Sequence, residues 1–167
     1  MQLFVRNKIV SLGGSSTVKD AQGNDVFKVK GNIMTVTKKK RVCDMNDNVL
    51  YTVRCRWLNP LAHKAYIYDA DGNKIATIKR PFMSIKQKFF VTTDQGEIMV
   101  EGGFFSMHCL IKRGEEVLGA ITRQALNLAS FLGENYFMLE AADDANAAYL
   151  VALVIAIDNV VDDAAGK

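Results

Sequence analysis

Ala147-Ala148-Tyr149-Leu150-Val151-Ala152-Leu153-Val154-Ile155-Ala156-Ile157 is a run of eleven apolar residues without a polar interruption. It is apolar all round rather than along one stripe, so as a helix it has to be buried on every side. Asp143 and Asp144 before it suit a helix N-terminus, where free N–H groups and the macrodipole favour negative side chains. Asp158 and Asn159 turn the chain polar again, and the expected helix covers about 144–161. A bilayer crossing needs about 20 apolar residues, which this run does not reach. A protein core is the favoured environment. Ala147, Ala148, Ala152 and Ala156 keep the rod thin enough to be enclosed by strands.

Upstream, the chain supplies such strands. Turn signals recur at Asp20-Ala21-Gln22-Gly23-Asn24-Asp25, Asp44-Met45-Asn46-Asp47-Asn48, Asp69-Ala70-Asp71-Gly72-Asn73, Asp94-Gln95-Gly96 and Arg113-Gly114-Glu115. Asp, Asn and Gly tolerate positive φ and bond back to the local backbone, so these are hairpin turns. The flanks have period two. Val49, Tyr51, Val53, Cys55 and Trp57 share an inward face, with Thr52, Arg54 and Arg56 opposite. Phe27 and Val29 alternate with Lys28 and Lys30, and Val117 and Ile121 share a face with Gly119. Five hairpins, a first strand near Leu3 to Val10 and a last near Asn135 to Leu139 make about twelve antiparallel strands. A barrel that wide leaves an interior to fill, so the expected fold is mainly β, a closed antiparallel barrel with the hydrophobic helix threaded through it. Residues 1–167 read as a single domain.

The formal charge of +3 hides an asymmetry. Up to Phe90 the chain holds 17 Lys and Arg against 6 Asp and Glu; beyond it, 4 against 12. Cys43, Cys55 and Cys109 form no CxxC pair, which fits reduced thiols. Met1 to Val10 alternates like a strand and lacks the pattern of a signal peptide, so a cytoplasmic location is expected.

Hairpin repeats followed by one central C-terminal helix resemble the tubby C-terminal-like fold. More closely, the chain is similar to the LURP-one-related family. The carriers are Phe4-Val5-Arg6-Asn7-Lys8, the segment Val18-Lys19-Asp20-Ala21-Gln22-Gly23-Asn24-Asp25-Val26-Phe27-Lys28-Val29-Lys30-Gly31, and Ala65-Tyr66-Ile67-Tyr68-Asp69-Ala70-Asp71-Gly72-Asn73-Lys74-Ile75-Ala76, in this order ahead of the helix. The resemblance implies a twelve-stranded barrel around a helix and no assigned activity. Tubby domains bind phosphoinositide head groups through basic residues, and phospholipid scramblases are thought to share the fold. Neither supplies a motif that aligns residue by residue here, so no site is transferred.

Signatures of chemistry are sparse. Neither His63 nor His108 has a Ser, Cys or Asp at a spacing specific to nucleophilic catalysis, and Cys109 beside His108 points to the opposite strand face. A zinc site from Cys43, Cys55, Cys109 and His63 requires four scattered residues to converge. Gly13-Gly14-Ser15-Ser16 lacks the lysine and spacing of a phosphate loop. No catalytic residue, metal or cofactor is assigned, and the expectation is a non-enzymatic binding or scaffold module.

Lys38-Lys39-Lys40-Arg41 is the feature that points outside the chain. Alternation would send two of the four into a lumen that already holds a helix. Unpaired ammonium groups there cost several kcal/mol each, so the segment is expected beyond the rim or in a bulge. Arg54 and Arg56 lie across the Asp44 turn, completing a candidate anion site of Lys38, Lys39, Lys40, Arg41, Arg54 and Arg56. Each basic residue near an anionic lipid surface contributes on the order of 1 kcal/mol, which suggests anionic phospholipid as partner and peripheral attachment at the inner membrane surface. Specific nucleic acid is not expected, because the local aromatics Tyr51 and Trp57 face inward. The alternatives are a solvated strand edge, a scramblase-like protein anchored by its C-terminal helix, and an enzyme using the barrel mouth around His63 or His108.

Overall fold

The computed structural model describes residues 1–6, 15–31, 39–56, 64–79, 88–102, 108–124, 136–143 and 145–164; the side chains of Arg56, Arg123, Gln124 and residues 162–164 lie outside that description. The described residues form twelve strands and one helix. In chain order the strands are β1 (Gln2–Arg6), β2 (Ser15–Asp20), β3 (Asp25–Gly31), β4 (Lys40–Cys43), β5 (Val49–Arg56) and β6 (Lys64–Tyr68). Then come β7 (Lys74–Lys79), β8 (Phe89–Thr93), β9 (Gly96–Glu101), β10 (His108–Arg113), β11 (Glu116–Gln124), β12 (Tyr136–Ala141) and the helix α1 (Ala147–Ala164). Every neighbour in sequence is a neighbour in the sheet, and β12 pairs with β1 to close the barrel, Leu3 opposite Leu139 and Val5 opposite Phe137.

Three hairpins share one turn chemistry, written Asp-x-x-x-Asn. Asp20, Asp44 and Asp69 each accept the backbone N–H of the Asn four residues on at 2.8–2.9 Å, while the second carboxylate oxygen takes that Asn's side-chain N–H₂. The fourth residue takes positive φ, Gly23 at 86° and Gly72 at 88°, but in the middle turn it is Asp47 at 70°. That costly backbone carries a carboxylate which ion-pairs Lys28 at 2.8 Å and Lys30 at 3.0 Å. All the tight turns lie at one end of the barrel, by strict up-and-down topology.

Bulges follow four of the turns. The register slips between Val18 and Lys19, Val42 and Cys43, Ile67 and Tyr68, and Ile111 and Lys112, leaving Val26, Leu50, Ile75 and Leu118 without a cross-strand partner. An extra residue reverses which side chains face the lumen. This corrects the reading of β11: Val117 is 47% exposed, and Leu118 takes the inward place beside Gly119 and Ile121.

The helix fills the lumen. No residue from Leu150 to Val161 is more than 6% exposed, so the all-round apolar run is buried all round. It packs on inward residues such as Val53, Ile67, Ile78, Ile98, Ile111 and Leu139, all fully buried. A Cβ on Gly119 would stand 2.6 Å from the Glu140 carbonyl oxygen and 3.3 Å from Leu150 Cδ1, so glycine lets the wall approach the first helical turn. The helix starts later than expected because Asn146, not the Asp pair, is its cap: Asn146 Oδ1 accepts the Tyr149 N–H at 3.0 Å and its carbonyl accepts that of Leu150 at 3.0 Å. Asp144 lies outside the described residues. No helix among those described is long and apolar enough to cross a membrane.

Candidate functional site

The basic cluster divides in the structure. Lys40 is in the lumen, 9% exposed, and its ammonium donates to Asn159 Oδ1 at 2.6 Å. Strand alternation does carry it inward, and the helix supplies a polar partner where its sequence turns to Asp158-Asn159. Lys40 therefore departs from the expectation that the segment lies beyond the rim or in a bulge, and it does not belong to the outer wall. Lys38 lies outside the described residues, as does the side chain of Arg56.

Lys39, Arg41 and Arg54 come together on the outer wall. Arg41 and Arg54 are exposed and Lys39 is half-buried. Arg41 stands opposite Thr52, and Arg54 lies two residues further along β5. Partial burial, then the positive charges of Arg41 and Arg54, hold the Lys39 ammonium below its ordinary value. Among the described residues, neither Lys39 nor Arg41 has a carboxylate partner. Like charges held close without compensation are unfavourable unless a counter-charge arrives from outside.

The positive wall extends beyond the predicted residues. β4 to β7 contain no acidic residue, and Lys64, Lys74 and Lys79 continue the basic series. Two tyrosines are interleaved with it: Arg54 lies over the Tyr68 ring at 5.1 Å, and Lys74 over Tyr66 at 5.7 Å. These residues were readable from alternation, since Tyr66 and Tyr68 share the face opposite Ala65 and Ile67. On the neighbouring β3, Lys28 and Lys30 are taken by Asp47, so the unpaired charge starts at β4.

Of the two histidines, one lies among the described residues. His108 is exposed, with Nδ1 3.2 Å from the Thr122 hydroxyl, and His63 lies outside the described residues. At the turn end, where α1 enters, the barrel mouth holds a cleft of about 350 Å³ lined by Tyr51, Arg113, Tyr149 and the rim acids Asp94 and Glu116 among others. None of its lining residues is His, Cys or Ser.

All three cysteines are buried and free. Burial raises the Cys43 thiol and pushes Cys109 from its usual 9.0 to about 11. The thiolate is the reactive form, so the native protein should resist iodoacetamide at about pH 8, while all three thiols react in urea. Equal rates in the two states would contradict the burial. The sign also sets an alkaline limit: Cys109 contributes stability in full below 9.0, and it is lost as pH rises through about 11.

Comparison with known proteins gives one consistent result. The profile of the LURP-one-related family matches residues 1–158. Protein LURP-one-related 10 of Arabidopsis thaliana is 20% identical over 174 residues, covering 96% of this chain and 90% of the relative. Protein LURP-one-related 15 of the same plant is 22% identical over 175 residues, covering 96% and 80%. A crystal structure of an Arabidopsis thaliana protein superposes with a TM-score of 0.64 at 17% identity, covering 99% of this chain and 91% of that one, which shows the shared fold. With the family profile matching nearly its whole length, the chain belongs to the LURP-one-related family.

Proposed function

We propose that this protein is a non-enzymatic binding module that docks on anionic phospholipid surfaces through the outer wall around Lys39, Arg41 and Arg54. The observation that carries this reading is the close approach of these three cations without a carboxylate partner among the described residues. Lys64, Lys74 and Lys79 widen the positive face, and tyrosine is a side chain suited to a boundary with one apolar and one wet side. The same interleaving of aromatic and basic groups would suit single-stranded nucleic acid. Arg54 and Lys74 already lie over the Tyr68 and Tyr66 rings, however, so base stacking would have to displace them. An anchor formed by α1, as in a scramblase-like reading, would require the barrel to lose its core.

The test uses vesicles of phosphatidylcholine alone and of phosphatidylcholine with phosphatidylserine. The wild type sediments with the acidic vesicles, and added salt reverses this. Lys39→Glu with Arg41→Glu removes two contributions of ~1 kcal/mol and adds repulsion, weakening association by at least roughly thirtyfold. Equal sedimentation with both vesicle types, or an undiminished double variant, would sink the proposal. Preferential capture by an oligonucleotide would transfer the wall to nucleic acid.

A further inference from the structure

A second group of polar side chains lines the mouth cleft, at the opposite end of the barrel from the Lys39 wall. Arg113 Nε and Tyr149 Oη are both buried there without a hydrogen-bond partner among the described residues. A buried polar atom left unpaired is costly, so two converging in one cleft call for an explanation. The Arg113 Nε–H can only donate. Tyr51 accepts the Asn146 side-chain N–H at 2.8 Å, which leaves its own O–H free to donate. Its ring meets that of Tyr149 edge-on, centroids 5.8 Å apart, so the two hydroxyls belong to one aromatic corner. Burial drives the Tyr149 hydroxyl up to about 12, so it keeps its proton and remains a donor.

Three donors therefore belong to residues that line one cleft, and two of them have no acceptor among the described residues. The opposing wall is apolar, from Ile75, Leu118 and Leu150. Ile75 and Leu118 are the extra residues of two bulges, which places aliphatic side chains at the mouth where regular pairing would not. Asp94 and Glu116 are exposed at the rim. Two carboxylates beside one guanidinium oppose a multiply charged anion more strongly than a singly charged one.

We infer that the barrel mouth binds a small organic monocarboxylate, its carboxylate on Arg113, Tyr149 and Tyr51 and its apolar body against Ile75, Leu118 and Leu150. A cleft of about 350 Å³ suits a small organic molecule, at the lower end of ligand-site volumes.

The experiment titrates the full-length ¹⁵N-labelled chain with phenylacetate, hexanoate or inorganic phosphate and follows amide shifts. Phenylacetate or hexanoate should move the amides of the β10–β11 hairpin and the first turn of α1 saturably. Phosphate should bind at least about tenfold more weakly than the better carboxylate, and Glu116→Gln should narrow that gap. Arg113→Gln should weaken carboxylate binding by about tenfold or more, since a charge-assisted hydrogen bond is lost. Tyr149→Phe keeps the ring, preserves the fold and should weaken binding severalfold. Absence of saturable shifts with both carboxylates overturns the inference. So does unchanged affinity in Tyr149→Phe, which decides the matter even if Arg113→Gln fails to fold. Phosphate binding as tightly as phenylacetate overturns the choice of ligand class.

Discussion

Truncation before Ala147 should yield a chain that does not fold. The helix contributes eight large aliphatic side chains that are nearly or wholly buried: Leu150, Val151, Leu153, Val154, Ile155, Ile157, Val160 and Val161. Burying one such side chain is worth ~1.5 kcal/mol at the lower end of the usual range, so together they supply ~12 kcal/mol. That is comparable with the whole stability of a domain, about 5–15 kcal/mol. Nothing among the strands replaces them, because Val53, Ile67, Ile78 and their neighbours have the helix as their facing surface. The truncated chain should show no near-ultraviolet circular dichroism and no cooperative urea transition. A soluble product with a cooperative melt would refute the central role of the helix, and with it the explanation of the apolar run. The same result would revive the helix as a detachable membrane anchor.

Lys40→Ala should cost about 3 kcal/mol, while Arg41→Ala, one residue along the same strand, should stay within about 0.5 kcal/mol. The difference comes from facing. The Lys40 ammonium is in the lumen and bonds Asn159 Oδ1 at 2.6 Å, near the end of the helix that also holds the buried Asp158. Truncating it leaves the Asn159 acceptor unpaired and removes a positive charge from a lumen that contains a carboxylate. Arg41 is exposed and loses only a solvated guanidinium. Urea midpoints of the two variants, with unchanged slopes, check the prediction. If both variants unfold together with the wild type, Lys40 is outside the barrel and the register of β4 is wrong. Charge reversal at Lys40 would report on folding rather than on lipid, which is why the vesicle test uses Lys39 and Arg41.

What could be read in advance follows the range over which each feature is determined. The Asp-x-x-x-Asn turns are closed by bonds within five residues, so they were visible as turns, and with them the strand number. The all-round apolar run is equally local, and only an enclosed helix satisfies it. The bulges were not visible. A register slip depends on the partner strand, and nothing in Glu116-Val117-Leu118-Gly119 says that Leu118 rather than Val117 faces in. The partner of Lys40 is 119 residues away, so alternation could send the lysine inward while energetics seemed to forbid it. The Lys39–Arg41–Arg54 part of the basic wall was readable because β4 and β5 are joined by one turn. The mouth cleft was not, since it takes Tyr51, Arg113 and Tyr149 from two hairpins and the helix.

Closure of the ring by its first and last strands has a consequence for biosynthesis. Ala141 donates its N–H to the Met1 carbonyl at 2.8 Å, and the core behind that seam is made by residues later still. While the ribosome is extending the chain, eleven strands can exist with two raw edges and an empty interior. Such intermediates are slow to resolve and prone to associate. A partial product is therefore expected to be unstable. The protein commits to its native state only after translation has delivered α1, and nascent chains stalled short of that point should depend on chaperones.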